Sequence, residues 1–168
     1  ISVAKGFDPA DHVLVTFGGA GAQHACALAR ELGVKQILIH PFASLLSALG
    51  MGLADVRRMR EITVLRELND AVLRDMRRQW ELVADQLKNE ILSEGIAPSH
   101  IDPPAVSFEL RYAGQEAPLL VQPASVENAN ATTLRELLEQ EHERQFGYRR
   151  TGRDIELCVV HIERVGRL

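Results

Sequence analysis

The residues best placed to do chemistry are Gly18, Gly19 and Gly21, followed at once by Gln23 and His24. The glycines remove Cβ atoms where the chain must turn sharply. They stand between a short β-branched apolar run at 13–17 and a helical pattern at 22–32 that Gly33 is placed to end. A helix N-terminus behind a glycine-rich turn presents free backbone N–H groups and the positive end of the helix dipole, which suits a phosphate or the close approach of a nucleotide. Spacing alone admits equally a nucleotide loop and a tight strand–helix turn that packs and binds nothing. A nicotinamide or flavin site is disfavoured. The spacing Gly19-x-Gly21-x-x-His24 lacks a third glycine, and the next strand, at 36–39, ends at His40-Pro41 where a ribose-binding acid would stand. His24 falls in the first helical turn, placed either to meet a ligand or to brace the loop, and bracing is the plainer role.

No other constellation points to catalysis. Ser44 and Ser47 read as helix caps rather than nucleophiles. Cys26 is flanked by apolar residues and reads as buried rather than reactive, and Cys158 falls in a strand. The carboxylates lie on solvated helix faces, and His142, inside Glu141-His142-Glu143, reads as an exposed helix residue. The six histidines are scattered without metal-ligand spacing. Arg77-Arg78 reads as a solvated face rather than a phosphate site. Neither catalytic residues nor metal ligands are therefore expected.

The elements that must position the glycine turn are βαβα over 1–60. After the strand at 36–39, Pro41 breaks the chain and a helix over 45–54 follows, apolar nearly all round and containing Gly50 and Gly52. Each internal glycine costs ~1 kcal/mol relative to alanine, so this helix is expected to need a backbone close by, through helix–sheet packing or as one wall of a ligand crevice. A second unit, 61–96, is a long amphipathic helix starting at Leu65 or Asn69 and running to Glu94. Its stripe is Leu65, Leu68, Val72, Met76, Trp80, Val83, Leu87 and Ile91, and Gly95 ends it. The spacing is nearer 3.6 than 3.5, so the helix is expected to lie on its own domain rather than in a coiled coil. The third unit, 97–168, reads as a small α+β antiparallel sheet packed on that helix. It comprises a strand at 106–112, a turn, a strand at 119–122, a helix from Thr132 or Thr133 to Gly147, and a strand at 155–165 with Ile155, Leu157, Val159 and His161 on one side.

At 168 residues the chain holds one domain or one and a half. A formal charge of −4 gives no basic footprint for nucleic acid, and no apolar run approaches the ~20 residues that cross a bilayer. Two cysteines without a framework, and no signal peptide, fit a reducing, cytoplasmic setting. The opening Ile1-Ser2-Val3, without a methionine, reads as the edge of a piece of a longer polypeptide.

Four segments carry a resemblance. They are Phe17-Gly-Gly-Ala-Gly-Ala-Gln-His-Ala25, Ser44-Leu-Leu-Ser-Ala-Leu-Gly-Met-Gly-Leu-Ala-Asp55, Phe108-Glu-Leu-Arg-Tyr-Ala-Gly-Gln115 and Glu141-His-Glu-Arg-Gln-Phe-Gly-Tyr148. In this order, over nearly the whole chain, they resemble the hydantoinase/5-oxoprolinase family, and Gln23-His24-Ala25-Cys26 is similar to its 5-oxoprolinase branch. The resemblance implies the C-terminal part of an actin- and sugar-kinase-like (ASKHA) fold. That fold binds ATP with Mg²⁺ and activates a cyclic amide for hydrolysis, 5-oxoproline giving glutamate. Gly18, Gly19, Gly21, Gln23 and His24 would then form the adenosine side of the nucleotide cleft, with the helix at 47–55 packed beside the loop. Ala22 departs from the Gly or Pro usual after Gly21. The N-terminal phosphate motif and the acids that would hold Mg²⁺ lie outside this chain, which is therefore expected to be inactive alone and to need the remainder of the parent enzyme or a partner subunit. A hydantoinase or a ketone carboxylase subunit of the same family is the alternative. A non-catalytic module that binds a subunit through the long helix, or a homo-oligomer, is another.

Overall fold

The computed structural model describes residues 6–150 and 152–168, with Asn128 described by its backbone alone. The opening residues behind the Ile1-Ser2-Val3 reading lie outside these. The chain forms two compact units, Ile1–Ala54 and Asp55–Leu168, where the sequence pattern suggests boundaries at 60 and 96.

In the first unit, β1 (Val13–Thr16) and β2 (Gln36–Ile39) pair in parallel, Val13 opposite Gln36 and Thr16 opposite Ile39. Helix α1 (Gly21–Glu31) makes the crossover. It ends as its sequence demands, with Gly33 at φ +68° just beyond the C-cap. A 3-10 turn, Ala43–Leu45, runs directly into α2 (Leu46–Leu53). Neither Ser44 nor Ser47 caps α2: Ser44 is inside the 3-10 turn, Ser47 is inside the helix, and Leu45 stands at the N-cap position without a side-chain bond. The close approach expected at Gly50 and Gly52 is also absent, since a Cβ on either would meet nothing within 4 Å. Helix α2 lies exposed, with Met51 80% and Leu53 72% accessible.

The second unit opens with β3 (Val56–Glu67), which replaces the expected helix start at Leu65. Its arginines point the same way as Ile62 and Val64 in register and pair with α3 (Asp70–Ser93): Arg60 reaches Glu90 at 2.9 Å, and Arg58 pairs with Glu94. Long arginine stems cover apolar surface while their heads stay wet, so an inward face can read as charged. Leu65 sits at a register break between Thr63 and Arg66 with φ +51° and is exposed. Helix α3 starts where Asn69 Oδ1 accepts the Val72 N–H at 2.9 Å. Leu73 and Ala84 join its buried stripe, while Val83 is half-buried.

Strands β4 (Ala105–Tyr112), β5 (Leu119–Val121) and β6 (Ile155–Gly166) complete an antiparallel sheet in the order β3-β6-β4-β5. Helices α3 and α4 (Ala131–Phe146) share one hydrophobic core with it. Trp80 of α3 meets Phe108 of β4 edge to face at 5.6 Å. Helix α4 is capped by Asn130, which accepts from Thr133 N–H at 2.9 Å, and not by Thr132 or Thr133. It ends at Gly147, φ +81°. On β6, Ile155 and Leu157 face the core as expected, but Val159 and His161 do not. Glu109 pairs with Val159 and Leu110 with Leu157, leaving Cys158 as an extra residue. That bulge reverses the alternation, so Val160 and Ile162 become the buried pair.

Candidate functional site

The glycine turn is built by three elements. Strand β1 delivers Thr16, which is buried and whose Oγ1 has no hydrogen-bond partner among the described residues. Gly18 adopts φ +84°, a conformation that glycine reaches without strain, and its N–H donates to the Ala43 carbonyl at 2.8 Å. The segment after β2 thus holds the turn from behind. A Cβ at Gly18 or Gly19 would meet nothing within 4 Å, so the front of the turn is open. At Gly21 a Cβ would rest 3.7 Å from Thr16 Cβ, an ordinary contact. No side chain caps α1. Within its first turn the Gly21 and Gln23 N–H groups donate to the Gly18 and Ala20 carbonyls at 3.4 and 3.1 Å, while the N–H of Ala22 has no backbone acceptor among the described residues.

Gln23 and His24 are both exposed in that first turn. His24 makes no hydrogen bond to the loop among the described residues. The brace is the Ala43 carbonyl, which sequence spacing gave no means of finding. His24 instead lines a shallow apolar hollow of about 200 Å³ with Thr16, Phe17, Gly21, Ala25 and Leu28. The five predicted residues are thus adjacent, around one open turn with an apolar wall and an unpartnered threonine hydroxyl. Phe17, 63% exposed at the lip, is the neighbour that sequence reasoning passed over as the last residue of a strand.

Three other expectations change. Cys26 is exposed, to the side of the α1 face on which Ala25 and Ala29 pack. His142 is 1% exposed rather than solvated. It lies among Tyr112, Phe146 and Tyr148, and its Nδ1 bonds the Tyr148 carbonyl at 2.8 Å. Arg77 is structural: it donates to the Val126 and Glu127 carbonyls at 3.1 and 3.2 Å and lies over Trp80. On the sheet face that carries Glu61, His161 bridges three strands, with Nε2 3.1 Å from Glu109 and Nδ1 3.3 Å from Glu61. No group of three potential metal ligands occurs among the described residues, and none of their helices is long and apolar enough to cross a membrane. Burial raises the pKa of the Cys158 thiol and of the Tyr112 phenol.

The fold is a mixed α/β one. It superimposes with a TM-score of 0.81 on the ATP-dependent caprolactamase of Pseudomonas jessenii, at 28% identity, covering 99% of this chain and 25% of that one. The family model for hydantoinase/oxoprolinase matches residues 1–60. The 5-oxoprolinase of Saccharomyces cerevisiae is 32% identical over 169 residues, 99% of this chain and 13% of its own length. The 5-oxoprolinase 1 of Arabidopsis thaliana is 29% identical over 162 residues, 96% of this chain and 13% of its own. The chain belongs to the hydantoinase/5-oxoprolinase family, and it spans about an eighth of the length of the curated relatives it matches.

Proposed function

We propose that this chain is part of an ATP-dependent cyclic amide hydrolase of the 5-oxoproline-to-glutamate type, and that it supplies the adenosine side of the nucleotide cleft. The observation that carries this reading is the open front of the glycine turn. At Gly18 and Gly19 the backbone is bare where a Cβ would find no neighbour, beside the uncapped start of α1. A ligand approaching there meets the main-chain N–H groups of Gly19, Ala20 and Ala22, which have no acceptor among the described residues, whereas those of Gly18, Gly21 and Gln23 are engaged within the turn. The apolar hollow beside His24 suits the flat face of a base, and the Thr16 hydroxyl is a buried polar atom awaiting a partner. ATP, when bound, supplies the phosphoryl group that activates an amide carbonyl. This chain's part is to hold the adenosine through Gly18, Gly19 and Gly21, with Gln23 and His24 at the edge. The βαβα order of the first unit fits the end of an ASKHA fold. Mg²⁺ and the cyclic amide are held by residues outside this chain, which alone is inactive.

Gly19→Val is the clean test, because Gly19 is not in a left-handed conformation and the added atoms meet open space. In the full-length parent enzyme it should fold normally and raise the apparent KM for ATP at least tenfold in phosphate release driven by 5-oxoproline. An unchanged KM would make the turn structural. Turnover with hydantoins but not with 5-oxoproline would move the enzyme to the hydantoinase branch.

A further inference from the structure

Two sequence segments that the glycine turn does not use, Tyr112-Ala113-Gly114-Gln115 and His142–Tyr148, meet at the end of α4. Beside them runs β5, the terminal strand of its sheet, which pairs only with β4 among the described residues. Helix α4 lies alongside this strand. Leu137, Gln140, Glu141 and Arg144 recur along it every three or four residues, and with Leu120 and Gln122 they enclose a hollow of about 280 Å³. One helical turn further on, a second hollow of about 290 Å³ lies between Gln115, Glu116, Ala117 and Leu119 on one side and His142 and Phe146 on the other. The two hollows follow one another along a single groove between edge strand and helix.

The chemistry of the second hollow is specific. The Tyr148 carbonyl can only accept, so His142 Nδ1 carries the proton in their 2.8 Å bond. In that tautomer Nε2 presents a lone pair, and it has no partner among the described residues. This otherwise buried imidazole lines a hollow that Glu116, Leu119 and Phe146 also line. A cationic donor on an aliphatic stem satisfies all four. The backbone of an edge strand, for its part, presents a row of N–H and C=O groups that another extended backbone can pair with. Pro118 and Pro123 bracket β5 and confine such pairing to a few residues. The other edge, β3, is guarded by Arg57, Arg58, Arg60 and Arg66 and broken at Leu65.

We infer that the β5–α4 groove binds an extended peptide segment as a fifth strand, with a lysine or arginine side chain placed between His142 and Glu116. The occupant's two groove-facing side chains are two residues apart, as strand geometry requires.

The probe is acetyl-Thr-Lys-Thr-Val-Thr-amide, titrated into the 168-residue chain. Binding should slow amide exchange at 119–121 and shift the His142 ring resonances. Backbone N-methylation of the peptide, or Lys→Glu within it, should weaken binding at least tenfold. Glu116→Gln in the protein, at an exposed position that leaves folding intact, should weaken it several-fold. The inference is overturned if no shift appears at millimolar peptide, or if the glutamate peptide binds as well as the lysine one. It is overturned equally if 119–121 are already protected in a manner that grows with protein concentration, which would assign the edge to a second copy of the chain.

Discussion

In the Asp55–Leu168 unit the large apolar side chains converge, with Trp80, Phe108, Leu110, Leu134, Leu157 and Ile162 buried in one cluster. Among the described residues of the Ile1–Ala54 unit the buried apolar side chains are Ala25 and Ala29, while Val13, Val15, Phe17, Leu38, Ile39 and Leu45 are exposed. The sequences differ accordingly. Strand β4 alternates, buried at Val106, Phe108, Leu110 and Tyr112 and half-buried between them, as befits a sheet with helices on one face. Strands β1 and β2 are apolar at nearly every position, the pattern of strands covered on both faces of a larger parallel sheet. A parallel pair of four-residue strands is too small to stand alone. The lesson is that a glycine turn can keep its local geometry without a large apolar core of its own to hold it.

The largest expected effect is therefore separation. Residues 55–168 expressed alone should unfold cooperatively in urea with native-like near-UV circular dichroism, whereas residues 1–54 alone should show no cooperative transition. A cooperative transition from 1–54 would break the comparison outright.

Next comes truncation of one aromatic in each unit. Trp80→Ala should cost about 3–5 kcal/mol, because it empties a packed site. Phe17→Ala should cost under about 0.5 kcal/mol, because its ring is already in water. Chemical denaturation of the full chain reads both. A large loss from Phe17→Ala would mean that the first unit hides a core this comparison misses.

Legibility in the sequence followed the same divide. Punctuation was readable at several helix ends: Asn69, one of the two starts offered for α3, caps it, and Gly33, Gly95 and Gly147 take positive φ, whereas the starts of α2 and α4 were misplaced. The glycine turn was readable because three glycines within four residues leave little else to be. What sequence could not give was tertiary. Strand β3 was hidden because arginines occupy its inward positions, although Ile62-Thr63-Val64 is a β-branched signal within it. The bulge at Cys158 carries no local mark, being neither glycine nor proline, and so the outward turn of His161 was unreadable. His142 looked solvated between two glutamates, since only the fold brings Tyr112 over it. Gly50 and Gly52 suggested close packing that the described residues do not supply.

Those glycines give a finer test. Gly166 lies where a Cβ would come within 2.5 Å of Ile91 Cγ2, whereas at Gly50 a Cβ meets open space. Gly166→Ala should destabilise by about 1–3 kcal/mol through forced repacking against α3. Gly50→Ala should stabilise the full chain by at most ~1 kcal/mol, since it removes glycine's entropic cost within a helix. Opposite signs from the same substitution would localise packing to the second unit. A loss at Gly50 would show that α2 is covered after all.

The smallest effect comes with pH, at the buried cysteine. Burial is the main cause that raises the Cys158 thiol, with Glu156 and Glu109 adding and Arg111 opposing, while Cys26 is exposed. A thiol whose pKa is higher folded than unfolded holds its proton more tightly in the native state. Its contribution to stability is then complete below the unfolded value of about 8.5 and is lost as pH climbs through the folded one. Tyr112, raised chiefly by burial, adds a second loss beginning above about pH 10. Urea midpoints measured from pH 7 to 11 should therefore fall above pH 8.5 in the wild type. Cys158→Ala should flatten only the first part of that fall. If it left the fall intact, burial of that thiol would not be what links stability to pH in this range.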